Sequence, residues 1–178
     1  IRKSSLEGIR IPGVAERLIV TLFADDTLVY LKKSDDMKIL HKIIERFCLA
    51  STAKFNLGKT EYLPIGNKKY RKTFIQTRKM GENDPIDENI TLIPDRKPMR
   101  TLGAWVGNRT KPTAQWNAIL EKQEAVMEAW SSTHPSYRGK ELLLKALVQS
   151  RAIFLATVNG MHKSVMHKMQ KQMKNFLW

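Results

Sequence analysis

Residues 18–31 read Leu-Ile-Val-Thr-Leu-Phe-Ala-Asp-Asp-Thr-Leu-Val-Tyr-Leu, two strand-forming runs that meet at adjacent carboxylates. Asp is depleted from strands while the flanking residues favour them, so the pattern predicts a β-hairpin turning at Asp25-Asp26. Two-residue hairpin turns prefer Asn-Gly or Asp-Gly, because they need a residue that tolerates positive φ. This chain accepts a poor turn residue and the repulsion of two acids. A solvated turn is the simplest interpretation of such a pair. A divalent cation held by both acids would relieve the repulsion, since carboxylate oxygens are the natural ligands of Mg²⁺.

Length and charge narrow the partners. A chain of 178 residues with 42% apolar content can bury a core in one domain or two small ones. Lys and Arg number 31 against 17 Asp and Glu, a net charge of +14 that favours a polyanion, nucleic acid being the commonest. No stretch approaches the roughly 18 uninterrupted apolar residues of a spanning helix, and no signal-peptide pattern is present. The single cysteine, Cys48, excludes an internal disulfide framework and fits a reducing compartment. One Cys and four scattered His do not make a four-ligand zinc cluster. The absence of an initiator Met and the stop at Trp178 in mid-pattern suggest a piece of a longer polypeptide.

Along the chain, Leu6 to Gly13 suggests a short strand closed by a Pro-Gly turn. Ser34 is placed to cap a helix over residues 35–53, with Asp35 and Asp36 in its positive first turn. Met37, Leu40, Ile44, Phe47 and Ser51 form its core stripe. A strand follows at Thr60 to Ile65. Residues 67–89 show no period and are expected to be a surface loop or insertion. They open with Lys68-Lys69-Tyr70-Arg71-Lys72, a candidate backbone contact or nuclear-import signal that is also the composition of a solvated face. Ile90 to Pro94 and Met99 to Val106 read as two strands around a turn at residues 95–98. Beyond Asn108 only helical patterns remain: one from Pro112 to about Trp130, one from Tyr137 towards Thr157, and one from about His162. The switch near residue 109 is the expected domain boundary, giving an α+β chain with a mixed part over 1–108 and a helical part over 109–178. Residues 132–178 carry eight basic side chains, Arg138, Lys140, Lys145 and Arg151 among them, against one acid, Glu141. Ordinary surfaces mix both signs, so phosphate contact is expected here.

Three elements in order carry a resemblance. Phe23-Ala24-Asp25-Asp26 looks like the catalytic signature of reverse transcriptases. Asn56-Leu57-Gly58-Lys59-Thr60 resembles the Asn-x-x-Lys-Thr element of non-LTR retrotransposons. Leu102-Gly103-Ala104-Trp105-Val106-Gly107-Asn108 resembles their primer-grip strand, with the closest likeness to non-LTR retrotransposons of fungi. The resemblance runs from about Leu6 to Trp178 and is weakest over 67–89. It implies the C-terminal part of a polymerase palm, an antiparallel sheet with a packed helix, followed by an all-helical thumb. It also implies RNA-directed DNA synthesis by two-metal nucleotidyl transfer with Mg²⁺, or Mn²⁺ in its place.

On that resemblance Asp25 is the firmer metal ligand and Asp26 the second. Lys59 neutralises or protonates the departing pyrophosphate. Leu102, Gly103 and Trp105 set the primer grip. The implied partners are an RNA template with its DNA primer or an RNA–DNA duplex, deoxynucleoside triphosphates and the rest of a parent polyprotein, with no membrane. The implied location is intracellular, the nucleus before the cytoplasm. The family draws its third metal-binding Asp from sequence before this signature, and only 24 residues precede Asp25 here. The chain by itself is therefore not expected to polymerise. A catalytically inactive or domesticated nucleic-acid-binding module is the alternative, and a protein whose Asp-Asp is only a turn is a further one.

Overall fold

Short strands with few backbone partners form hairpins, whereas long apolar periods form helices, and this chain contains both. The computed structural model describes all 178 residues apart from the side chains of Pro112 and Ala114. Among the described residues it is α+β, with four two-stranded ladders and six α-helices. It divides into two units, Ile1–Lys97 and Pro98–Trp178.

In the first unit, β1 (Ile9–Arg10) pairs antiparallel with β2 (Arg17–Leu18). Next, β3 (Val20–Phe23) pairs antiparallel with β4 (Asp26–Val29), Phe23 opposite Asp26. The turn is thus Ala24-Asp25, not Asp25-Asp26, and Asp26 opens the second strand. Ala24 alone of the two has positive φ, +51°, the φ signature of a type II′ turn. Helix α1 (Met37–Ser51) starts at Asp36, whose side chain accepts a hydrogen bond from Lys38 N at 2.8 Å.

Asp35, expected in a helix first turn, is instead buried outside the helix. Its two oxygens accept from Glu7 N at 2.6 Å, Gly8 N at 3.1 Å and Lys32 N at 2.7 Å. This clamp joins the segment before β1 to the exit of β4. Gly8 fits there because its φ is +64° and a Cβ would lie 2.5 Å from Leu18 O. Lys32 also reaches Glu7, and that hydrogen bond, then its charge, holds the Glu7 carboxyl below its usual value. Leu6, Ile19 and Leu40 pack beside the clamp. Only the first half of the α1 stripe is buried, and Phe47 is 54% exposed.

Residues 67–89 are not a surface loop. Asn67 caps helix α2 (Lys68–Thr77) by accepting from Tyr70 N at 2.8 Å. Phe74, Met80, Ile86 and Ile90 join Met37 in one core cluster, with Tyr70 against it. The period is hidden because α2 contributes only Tyr70, Phe74 and Ile75 among lysines. After it, Arg78 in the left-handed conformation turns the chain, and its guanidinium holds the Ile86 and Ile90 carbonyls at 2.9 and 2.7 Å. Strand β5 (Glu61–Tyr62) pairs in parallel with β6 (Thr91–Leu92), so residues 90–94 do not pair across a turn at 95–98.

In the second unit, β7 (Met99–Thr101) and β8 (Ala104–Val106) form a hairpin turning at Leu102-Gly103. Helix α3 (Pro112–Ser131) follows. The expected second helix is α4 (Tyr137–Leu143), a π-helical stretch (Leu144–Gln149) and α5 (Ser150–Asn159) in succession. Gly160 ends it, and α6 (Lys163–Leu177) begins at His162. Gln123 of α3, fully buried, donates to the Val148 carbonyl at 2.6 Å in the π stretch. One core cluster holds Trp116, Leu120, Ala152, Leu155 and Val165, the other Met127, Leu144, Val148 and Phe176. The unit begins at Pro98 and not at residue 109, because the β7–β8 hairpin is bonded to α5. Asn159 Oδ1 accepts from Trp105 N at 3.1 Å and its Nδ2 donates to Trp105 O at 2.7 Å. Among the described residues no helix is long and apolar enough to cross a membrane.

Candidate functional site

The β3–β4 hairpin has a buried root and a bare tip. Ile19 and Val20 are buried, whereas Leu22, Phe23, Ala24, Asp25 and Asp26 are exposed. Two strands with a two-residue turn project the tip beyond the core that Ile19 enters just before β3 and that Val29 packs against at the end of β4. Among the described residues, neither the Asp25 nor the Asp26 carboxylate has a hydrogen bond or ion pair. Two like charges on adjacent residues repel, and no cation of the first unit is bonded to either. Their side chains start from different backbone settings, Asp25 in the turn and Asp26 at the start of a strand.

As a donor set the pair suits a hard divalent cation, since both ligands are carboxylates free of other partners. Among the described residues no group of three or more His, Cys, Asp or Glu side chains assembles. The site is therefore a two-carboxylate set that would leave most of an octahedral shell to water or substrate oxygens.

Lys59 lies on a 3₁₀ turn (Leu57–Lys59) that follows α1. Asn56 shapes this turn: its side chain accepts from Lys59 N at 3.2 Å, and its carbonyl accepts from the Thr60 hydroxyl at 3.0 Å. Phe55 meets Phe47 edge-on, with ring centroids 6.2 Å apart, which ties the loop to α1. The Lys59 side chain is exposed. No hydrogen bond or ion pair joins it to Asp25 or Asp26 among the described residues.

The basic run on α2 is split in role. Arg71 makes a two-pronged ion pair with Asp95, Nε–Oδ1 at 2.6 Å and Nη2–Oδ2 at 2.8 Å, and also donates to the Gly66 carbonyl. That guanidinium braces α2 against the segment after β6. Lys68, Lys69 and Lys72 are exposed and remain available.

The second unit places Leu102, Gly103 and Trp105 on the β7–β8 hairpin. Leu102 and Gly103 have φ of +49° and +80°, the pair of left-handed values that defines a type I′ turn. A Cβ on Gly103 would lie 2.9 Å from the Phe154 ring, so glycine lets α5 approach the turn. Trp105 is half-buried against the Trp116 cluster. Asn159 and Phe154 are the anchors that sequence patterns do not single out. Asn159 reads only as a helix stop, and its side chain bonds to a residue 54 positions away.

Of the expected basic contacts, Lys140 is occupied. Its ammonium donates to the Leu177 carbonyl at 3.2 Å and lies 5.6 Å from the Phe176 ring centroid. Lys145 pairs with Glu141 one turn away at 2.6 Å. Arg138 and Arg151 are exposed. No family model matches the chain, and no curated protein matches it.

Proposed function

We propose that this chain is the C-terminal palm segment and the thumb of an RNA-directed DNA polymerase of the non-LTR retrotransposon type. The observation that carries the proposal is the pair of unpartnered carboxylates on an exposed hairpin tip. The two carboxylates make no bond that holds the fold there, and nucleotidyl transfer needs acids placed where a primer end and a triphosphate can reach them. Asp25 and Asp26 would hold Mg²⁺, which when bound supplies charge neutralisation and activation of a hydroxyl nucleophile. Asp25, in the turn, is the principal ligand and Asp26 the accessory one.

Lys59, on its capped turn, is assigned to the charge that develops on the leaving pyrophosphate. The β7–β8 hairpin presents Leu102, Gly103 and Trp105 to the primer strand, and the basic helices receive the template–primer duplex. Deoxynucleoside triphosphates are the small-molecule substrates. The third acid of the family's set lies outside these 178 residues on this reading.

The test is primer extension on an RNA template with Mg²⁺, using the chain joined to the encoded sequence that precedes Ile1. Asp25→Asn is expected to lower extension by at least about a thousandfold, the size of a lost metal-centred effect, while duplex binding stays equal or tightens. Full extension by that variant refutes the metal assignment. Duplex binding without any extension by the unaltered protein favours the inactive-module alternative.

A further inference from the structure

Helices α3 and α6 border an open groove of about 410 Å³, within the roughly 300–1,000 Å³ of small-ligand sites. Its α3 wall is Asn117, Leu120, Glu121 and Glu124. Its α6 wall is Lys168, Lys171, Gln172 and Asn175. Each set keeps the spacing i, i+3, i+4, i+7, so each is one continuous stripe of its helix, about 10 Å long. The two helices run in the same direction. Trp116 and Leu120 meet Val165 and Met169, whereas Met127 meets Phe176 and Met173. Glu121 therefore stands about level with Lys168, and Glu124 with Lys171.

One wall is acidic and the other basic, yet among the described residues no ion pair joins them. All four charged side chains are exposed, where a pair across the groove would contribute little, so both signs stay open to a ligand. Leu120, buried, forms an apolar floor. Gln172 is partly buried, and its Oε1 is closed to solvent without a hydrogen-bond partner. Among the described residues its Nε2 makes no hydrogen bond either. A half-turn of that amide towards a ligand breaks no existing bond.

The two walls exclude simple ions. A bare anion is repelled by Glu121 and Glu124, and a bare cation by Lys168 and Lys171. A flat, uncharged ligand with donors along one edge and acceptors on the next satisfies both walls. Nucleobases have that form, and guanine alone sets two adjacent donors, N1–H and the N2 amine, beside the acceptors O6 and N7. A carboxylate accepts such a donor pair with its two oxygens, as it does the paired N–H groups of an arginine. Lysine donates to O6 or N7. Adenine and cytosine bring a single donor group to the same edge, and uracil flanks its one donor with oxygens that the carboxylate repels. In a duplex that edge is already engaged, so the matching guanine is unpaired.

We propose that the α3–α6 groove binds the base of an unpaired guanosine nucleotide. Glu121 and Glu124 supply the acceptors for N1–H and the N2 amine, and Lys168 and Lys171 the donors to O6 and N7. The inference rests on the nucleic-acid reading above only for the expected source of that guanosine, a single strand. A free guanosine nucleotide carries the same chemistry.

The test is fluorescence anisotropy of the full chain with a labelled oligouridylate carrying one central guanosine, compared with adenosine or inosine at that position. The guanosine oligomer is expected to bind about ten- to a hundredfold tighter than the adenosine one. Inosine, which lacks the N2 amine, should lose most of that gain. Glu121→Gln with Glu124→Gln should erase the guanosine-to-adenosine ratio, while Glu128→Gln, on α3 but outside the groove, should keep it. Guanosine monophosphate competing as well as the oligomer supports the site with the free nucleotide as its ligand, and weak competition supports it with the strand. Equal affinity for the guanosine and adenosine oligomers, or a ratio that survives the double variant, overturns this inference and spares the nucleic-acid reading. Binding of the monophosphate but of no oligomer keeps the site and overturns that reading, and binding of neither overturns both.

Discussion

The chain contains two hairpins of one design, and they are held at opposite ends. Both β3–β4 and β7–β8 close through two-residue turns with a left-handed non-glycine residue, Ala24 in one and Leu102 in the other. The first is gripped at its root, where Asp35 collects backbone donors from three residues, and its tip touches nothing that bonds to it. The second is gripped along β8 and at its turn by Asn159 and Phe154 of α5. A free tip suits acids that must meet a ligand. A braced turn suits a surface that must keep its shape while something slides past it.

Removing either grip tests this contrast. Asp35→Ala leaves the Glu7, Gly8 and Lys32 amides without their acceptor, each an orphaned donor costing about 1–3 kcal/mol. A loss of about 3 kcal/mol or more is expected in urea denaturation, with hydrogen exchange rising in β3 and β4 and not in β7 and β8. Asn159→Ala orphans the Trp105 amide and carbonyl together and should cost about 2 kcal/mol. Its exchange signature should appear in β7 and β8 alone. Equal loosening of both hairpins by either variant would contradict the division.

The smallest effect lies in the turn itself. A left-handed backbone costs an L-residue about 1–2 kcal/mol, part of which glycine returns through its freer unfolded chain. Ala24→Gly should therefore stabilise by about 0.5 kcal/mol in thermal unfolding, without altering duplex binding.

The helices of the second unit are legible in sequence because their apolar residues recur at three- and four-residue spacing over whole turns: Trp116, Leu120 and Met127 on α3, and Val165 and Phe176 on α6. The β3–β4 hairpin is legible from its composition, but its turn is displaced by one residue because nothing in Ala24 advertises positive φ. Asp35 is misassigned for a related reason. A carboxylate after a candidate Ser cap looks like a first-turn acid, and two of its three actual donors, the Glu7 and Gly8 amides, are 28 and 27 residues away. In α2 the charge density of five consecutive residues conceals Tyr70 and Phe74, whose burial depends on Met80, Ile86 and Ile90 beyond a loop. The candidate acids stand out in sequence as a pair. Their exposure and lack of partners are facts of tertiary structure, as is the diversion of Arg71 to Asp95.

The π-helical stretch has a further consequence. Leu144, Val148 and Ala152 recur every four residues, a spacing that drifts by about 40° per step around an ideal α-helix. The wider turn absorbs much of that drift, so one rod can deliver Leu144 and Val148 to the Phe176 cluster and Ala152 and Leu155 to the Trp116 cluster. The surplus residue works as a phase corrector for the whole C-terminal bundle. A homologue shorter by one position there would have to swivel everything after it, carrying Asn159 off the Trp105 backbone and unlatching the hairpin.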